Sequence, residues 1–150
     1  MCAIAQTAAR AGAILRPGGS VRSRPRHPGN SLGSAKRTSS GNHLIDALPQ
    51  GDRRRLLAGC DDEQLAESQV LFGAGERVHH ARFPTTGYVS LLTPMDGAAL
   101  LEVGLTGREG MAGTSLTAGI AESPLKAVVQ GAGHAYRMEA SALRRMLLSS

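Results

Sequence analysis

Two adjacent histidines, His79 and His80, are the side chains of this sequence best suited to binding a metal ion. They lie in a β-favouring segment, and neighbouring side chains of a strand point to opposite faces of the sheet. Both can therefore reach one metal ion only if a β-bulge separates them. Glu102 lies two predicted strands further along, and nothing in the spacing requires His134 as a third ligand. We predict no metal site, with one histidine buried and the other exposed.

The sequence offers little support for nucleophilic or redox chemistry. Cys2 and Cys60 lie far apart, a spacing that supports neither a disulfide framework nor zinc or iron–sulfur ligation by cysteine. Cys60 stands beside Asp61 and Asp62 and lacks the cationic surroundings that lower a thiol pKa. No Ser-His-Asp or Cys-His arrangement is recognisable by spacing. We predict that the chain is not an enzyme, has no cofactor, and works in the reducing cytoplasm.

The positive charge of the sequence is concentrated in its first 41 residues. The chain of 150 residues has a formal net charge of +5, yet residues 1–41 contain seven basic side chains and no acidic one. The remaining residues carry 10 basic and 12 acidic side chains, so their net charge is −2. The high pI therefore does not indicate a DNA-binding face on the folded part. No apolar run approaches the roughly 20 residues that cross a bilayer, so we expect no membrane span.

Residues 1–41 are predicted to be a disordered basic tail. Gly, Pro, Ser and Arg dominate this segment, and such a composition buries too little apolar surface to offset the entropy of ordering. Two alternatives stay open, because the segment is also rich in Arg and Ser without acids. One is an organelle transit peptide, and the other is a tether to nucleic acid or anionic lipid.

Short helices are predicted where order begins. Asn42 is a good N-cap and Pro49 a good stop signal for the first of them. The charge run Arg53–Arg55 in the second is expected to lie largely in water. The predicted segments are His43–Leu48, Asp52–Ala58 and a third turn that begins at Asp61 or Asp62 and ends near Glu67.

From Val70 onward the pattern is that of short strands separated by turns. Four turn sequences, GAGE, PTTG, PMDG and GREG, separate the β-favouring segments. This pattern predicts an antiparallel sandwich or barrel. The stretch Glu139–Leu148 has apolar residues at helical spacing and predicts a C-terminal helix. The predicted strands are Val70–Phe72, Val78–Phe83, Tyr88–Leu92, Ala99–Leu105, Ala127–Gln130 and His134–Met138.

Three stretches carry a resemblance to a known family: VLFGAGERVHHARFPTTGYVSLL, EVGLTGREGMAG and PLKAVVQGAGHAYRMEASALRRML. In their order and punctuation they resemble the cyclic-nucleotide-binding domain of the Crp/Fnr superfamily, with Gly75-Glu76 as the G-E turn and Gly87 as the glycine that opens the next strand. The resemblance implies a mainly β fold, an antiparallel jelly-roll or β-roll with short N-terminal helices and a C-terminal helix, over residues 42–150. In that family a winged helix-turn-helix follows the dimerising helix. This sequence stops within that helix, so we expect no DNA-binding element in these residues.

The resemblance also suggests where a ligand would bind. A nucleotide phosphate needs backbone N–H groups, and family members that bind cyclic nucleotides supply an Arg and a ribose-binding Glu as well. By position, Gly113 matches the family's glycine, Thr114 stands where the Glu would be, and the Arg position falls near Leu125 and Lys126. Tight binding of cAMP or cGMP is therefore not expected. Either the glycines of this loop only turn the chain, or a rearranged pocket for an unidentified small-molecule effector uses Gly113, Thr114, Ser115 and Lys126.

The C-terminal helix presents a stripe formed by Leu143, Met146 and Leu147. This stripe either packs against the β-roll or forms the seam of a symmetric homodimer, and the sequence does not decide between them.

These observations predict a sensory or regulatory domain of a Crp/Fnr-type transcriptional regulator. Its helix position or oligomeric state would change when a small ligand binds two conformations with different affinity. The enzyme alternative is a cupin-like metal-binding protein, because GAGERVHHARFP is similar to the first metal-binding motif of cupins, which share the jelly-roll architecture. An interaction module without a ligand is the third alternative.

Overall fold

The computed structural model describes residues 38–149, which form two antiparallel β-sheets with short helices before and after them. The helices are α1 (His43–Asp46), α2 (Gln50–Ala58) and α3 (Ala140–Leu148), with 3₁₀ turns at Asp96–Ala98 and Thr114–Ala118. The strands are β1 (Asp61–Leu65), β2 (Val70–Phe72), β3 (His80–Pro84), β4 (Tyr88–Pro94), β5 (Leu100–Thr106), β6 (Lys126–Gly131) and β7 (Gly133–Glu139). This arrangement confirms the predicted fold class.

The two sheets have strand orders β1-β7-β3 and β2-β6-β4-β5. A strand lies at each of the six segments predicted from alternation and turn signals. The backbone of Ala112 forms a further antiparallel bridge with Arg82 of β3, which extends the three-stranded sheet by one short step. The four-stranded sheet is therefore built from residues 70–131. In the three-stranded sheet, the first strand of the chain, β1, pairs with the last, β7.

The third helical turn predicted after Asp61 or Asp62 is wrong, because Asp61–Leu65 is strand β1. Asp61 pairs in register with Arg137, and Leu65 pairs with Gly133. The side chain of Leu65 is fully buried, and the Asp61 carboxylate lies 3.3 Å from the Arg137 guanidinium. Pairing with a strand seventy residues away therefore outweighs the local preference of aspartate for a helix start.

Small and aliphatic side chains supply most of the core. Val89 of β4 and Val129 of β6 are paired in register, and both are fully buried. Helix α2 packs on the three-stranded sheet, because the side chain of Met138 of β7 lies against the end of α2 at Gly59. The remaining buried apolar residues include Ile45, Leu56, Leu65, Phe72, Val78, Ala81, Phe83, Ala127, Ala135 and Leu143.

The turn between β3 and β4 requires glycine. Gly87 has φ +73°, and a Cβ atom there would lie 2.3 Å from the carbonyl oxygen of Gly131. At Gly133, which follows the opposite turn, a Cβ atom would lie 2.3 Å from the carbonyl oxygen of Thr86. The two chain reversals therefore lie closer together than any side chain permits, and this explains the glycine predicted to open β4.

Asn42 caps α1, as predicted, and also fastens the helix to the β region. Its Oδ1 accepts a hydrogen bond from the Ile45 N–H at 3.1 Å. Its Nδ2 donates to the carbonyl oxygens of Pro84 at 2.8 Å and Gly110 at 2.9 Å. The side chain is fully buried, and its bonds to Ile45 and Pro84 are buried, whereas the bond to Gly110 is partly buried.

We expect Asn42→Ala to lower the free energy of unfolding by about 3 kcal/mol, because a helix cap is lost and the carbonyl groups of Pro84 and Gly110 lose their donor. Asn42→Ser should cost less, since a serine hydroxyl can still cap α1. Urea denaturation followed by circular dichroism measures both losses. Equal losses for the two variants would contradict a contribution from the cap.

The segment before α1 is fixed by Asp46. Its carboxylate accepts hydrogen bonds from Ser39 Oγ at 2.7 Å and from Ser40 N at 2.9 Å, and these bonds lower the pKa of Asp46 to about 2. Arg53 forms an ion pair with the same carboxylate at 3.0 Å, so only Arg54 and Arg55 lie in water as predicted.

The predicted tail lies largely outside the described residues. Residues 1–37 are not described, whereas Ser39 and Ser40, which fall within the predicted tail, make the contacts with Asp46. No helix in residues 38–149 is both long enough and apolar enough to cross a membrane.

Candidate functional site

A cavity of about 530 Å³ lies between strands β2 and β3, each of which forms an edge of its own sheet. Leu71 and Phe72 of β2 supply apolar lining, and His80 and Arg82 of β3 supply polar lining. The connecting segment contributes Glu76, Arg77 and His79. The cavity therefore combines an apolar wall with a cationic and imidazole wall, a composition suited to a small polar or anionic molecule.

The charge of Arg82 is already balanced within the protein. Its guanidinium donates two hydrogen bonds to the Glu63 carboxylate, from Nε at 2.6 Å and from Nη2 at 3.3 Å. The side chains of Arg82 and Glu63 are only 10% and 14% exposed. Arg137 lies 4.0 Å from the same carboxylate, and its buried Nε has no hydrogen-bond partner among the described residues. An anionic ligand in the cavity would therefore compete with Glu63 for Arg82.

His79 and His80 both line the cavity but differ in environment. His79 is exposed and precedes β3, whereas His80 is half-buried and begins the strand. Burial lowers the pKa of His80, and the charges of Arg82 and Arg137 lower it further. His80 therefore stays neutral at pH 7 and can both donate and accept one hydrogen bond. Within residues 38–149, no three side chains of His, Cys, Asp or Glu form a group that could hold a metal ion.

The loop after β5 lies against β3. The backbones of Arg82 and Ala112 exchange two hydrogen bonds, at 3.0 and 2.8 Å. Gly113 follows with φ +95°, and a Cβ atom there would lie 3.2 Å from the Val78 side chain. The chain then forms the 3₁₀ turn Thr114–Ala118. This geometry places the predicted ligand loop next to the β3 wall of the cavity.

The structure places the four predicted ligand residues in two separate positions. Gly113, Thr114 and Ser115 are consecutive at the start of the turn, with Thr114 exposed and the hydroxyl of Ser115 buried without a hydrogen-bond partner among the described residues. Lys126 is half-buried at the start of β6, in register with Leu92. No hydrogen bond or ion pair of the described part of the chain joins Lys126 to the other three, and their role in ligand binding stays a prediction.

Sequence reasoning missed the pair formed by Arg82 and Glu63. Arg82 lies between Ala81 and Phe83 in the predicted strand Val78–Phe83, and a charge flanked by apolar residues in a strand is a signal for a paired charge. Glu63 gave no such signal, because its segment was predicted to be helical.

The predicted stripe of α3 does not lie in one environment. Leu143 is buried in the core, Met146 is half-buried against it, and Leu147 is 42% exposed. Leu143 therefore packs on the β-roll, the first of the two alternatives for this helix. A dimer seam that uses Leu147 stays a prediction.

Cys60 is half-buried between α2 and β1. Burial raises the pKa of its thiol to about 11, and the charges of Asp61 and Asp62 act in the same direction. The thiol is thus protonated at neutral pH, which agrees with the prediction that it is not a reactive nucleophile.

Comparison with known proteins identifies the fold. No protein-family model and no curated protein matches the chain. Among solved structures, a cyclic nucleotide-binding-like protein from Brucella abortus bv. 1 str. 9-941 is 21% identical with a TM-score of 0.58, over 70% of this chain and 90% of its own. The N-terminal domain of a transcriptional regulator from Streptomyces coelicolor A3(2) is 18% identical with a TM-score of 0.60, over 72% of this chain and 76% of its own.

The sensor domain of the transcriptional regulator DNR from Pseudomonas aeruginosa is similar to the same degree. It is 19% identical with a TM-score of 0.59, over 71% of this chain and 72% of its own. These likenesses confirm the fold that the resemblance to the Crp/Fnr superfamily predicted. Residues 38–149 fold as a β-roll of the cyclic-nucleotide-binding type.

Proposed function

We propose that this chain is the effector-sensing domain of a Crp/Fnr-type transcriptional regulator and acts in the cytoplasm without catalysing a reaction. The fold shared with a regulator's sensor domain and with the N-terminal domain of another regulator supports this proposal. The effector is a small molecule that binds in the cavity between β2 and β3. It contacts the neutral imidazole of His80 and competes with Glu63 for Arg82.

The position of the loop after β5 is the observation that carries the proposal. At Ala112 the loop is bonded to Arg82, which lines the cavity. Leu116 and Gly119, four and seven residues further along, line a groove whose other side is formed by α3. A ligand that displaces β3 therefore displaces the loop, and the loop displaces α3. Binding would change the equilibrium position of α3 only if the ligand favours one position.

The effector is not a tightly bound cyclic nucleotide. Thr114 stands where the family's ribose-binding Glu would be, and Leu125 and Lys126 stand near the place of its phosphate-binding Arg. The ammonium group of lysine is a point charge, so it cannot form the two parallel hydrogen bonds by which the planar guanidinium of arginine binds a phosphate. Arg82 does not replace it, because Glu63 already occupies its guanidinium.

Calorimetric titration with cAMP and with cGMP tests this part of the proposal. We expect no saturable binding below about 100 µM ligand. The reason is that each of the two missing charged contacts weakens a micromolar site by at least about tenfold. A dissociation constant near 1 µM for either nucleotide would contradict it.

A thermal-shift panel of cytoplasmic metabolites tests the sensing role itself. We expect at least one small anion to raise Tm, since a ligand that binds only the folded state stabilises it. The rise should disappear in His80→Ala and persist in the control variant Arg54→Ala, which changes an exposed side chain on α2. A panel without any stabilising compound would favour the interaction module that binds no ligand.

A further inference from the structure

A second cavity, of about 520 Å³, lies between the 3₁₀ turn Thr114–Ala118 and helix α3. We call it the arginine groove, because Arg77, Arg144 and Arg145 line it. Its volume is within the range of small-molecule sites. Arg77 is the one described residue that lines both this groove and the proposed sensing cavity.

Among the described residues, the three arginines of the groove form no ion pair, although the backbone of Arg77 is paired with that of Glu122. No acidic residue is among the described residues that line the groove. None of the three forms an ion pair or a side-chain hydrogen bond within residues 38–149, whereas Arg53, Arg55, Arg82 and Arg137 each lie within 4.0 Å of a carboxylate. Three unbalanced positive charges around one concave surface attract an anion, and a low-dielectric wall strengthens the attraction.

Apart from Ser141, the other side chains of the lining are apolar. Val78 and Leu116 are buried beneath the groove, with exposed fractions of 1% and 9%. Ile120 and Leu148 are 56% and 80% exposed and stand at its sides. An occupant with an aliphatic part would remove these two side chains from water, and burial of apolar surface is favourable.

The groove is not the surface predicted for dimerisation. It is lined by Ala140, Ser141, Arg144, Arg145 and Leu148, spaced i, i+1, i+4, i+5 and i+8 on α3. This face lies away from the buried side of the helix, which carries Leu143. A symmetric contact through the groove would bring the same three arginines of a second copy against the first set, and like charges oppose that contact.

We propose that the arginine groove binds a small amphipathic anion, a linear aliphatic chain with a carboxylate or phosphate head group. The head group pairs with Arg144, Arg145 and Arg77, and the chain lies on Leu116, Ile120 and Leu148. Because this ligand touches both the 3₁₀ turn and α3, its binding holds the helix against the β-roll. The inference rests on the groove alone and does not depend on the proposed sensing function.

Calorimetric titration of the full chain with decanoate and with decyl phosphate tests the proposal. We expect saturable binding of one anion per chain, and at least about tenfold weaker binding of decanol, acetate and inorganic phosphate, which each lack one half of the ligand. The comparison of the two amphiphiles shows which head group the groove prefers.

Matched variants locate the binding. Arg144→Ala/Arg145→Ala should weaken decanoate binding at least about tenfold, since two charge-assisted contacts are lost. Arg54→Ala/Arg108→Ala removes the same charge from two exposed positions outside the groove and should leave the dissociation constant within about twofold. If the double variant in the groove unfolds, Arg77→Ala and Ile120→Ser provide the same test, because both side chains are exposed.

Three results would overturn the proposal. The first is an unchanged dissociation constant in the groove variants, and the second is binding of acetate or inorganic phosphate as tight as that of the amphiphiles. The third is binding to vesicles of anionic phospholipid without binding to monomeric decanoate, which would make the occupant a membrane surface.

Discussion

Gly87→Ala is expected to lower the free energy of unfolding by about 4 kcal/mol, whereas Gly97→Ala should cost only about 1 kcal/mol. Both glycines have positive φ, +73° and +75°, so the strain on an alanine backbone is similar at the two sites. The surroundings differ. A Cβ atom at Gly87 lies 2.3 Å from the Gly131 carbonyl oxygen, but nothing lies within 4 Å of one at Gly97.

The difference between the two variants measures the close approach of the two turns. The contact at Gly87 is with backbone atoms, and these move only if β4 and β6 separate. Urea denaturation of both variants gives the two losses under the same conditions. Equal losses would show that strain in φ alone accounts for the glycine, and that the turns move apart without cost.

Arg82→Met is expected to cost about 4 kcal/mol, because it leaves the Glu63 carboxylate buried without its charged partner. The side chain of Glu63 is 14% exposed, and its other ion-pair contact, with Arg137, is at 4.0 Å. The double variant Glu63→Leu/Arg82→Met should cost less than half as much, since no unpaired charge remains. Denaturation of the two single variants and the double variant forms a double-mutant cycle.

An exposed ion pair provides the control for this cycle. Asp52 and Arg55 lie 3.8 Å apart on α2, with side chains 40% and 52% exposed. Asp52→Ala should change the free energy of unfolding by less than about 0.5 kcal/mol, because water screens such pairs. If Arg82→Met proved equally mild, water would have to reach Glu63, and the cavity wall would be wet rather than buried.

The β region could be predicted from the sequence because its signals are local. Short alternating runs and the turn residues between them define β2 to β7 to within a few residues, and the order of the glycines identifies the β-roll. The pattern failed at β1. Two aspartates there are typical of a helix start, and only the pairing with β7 makes the segment a strand.

The candidate site was harder to predict than the fold. The loop Gly113–Ser115 is local, and the structure places it beside the cavity. Lys126 entered the prediction only by its position along the chain, and no bond connects it to that loop within residues 38–149. The bidentate contact between Glu63 and Arg82 joins residues from two strands that do not neighbour each other, so no pattern of spacing could have shown it.

Arg82 is held on two sides, and this sets where the cavity can change its size. Its side chain is fixed to β1 through Glu63, and its main chain is fixed to Ala112. The facing strand, β2, has three residues and an irregular register with β6, so fewer regular bonds hold it. A guest that only fills space would therefore push β2 outward, and only a guest that contacts β3 itself would move the loop and α3, which gives the cavity one stiff wall and one compliant wall.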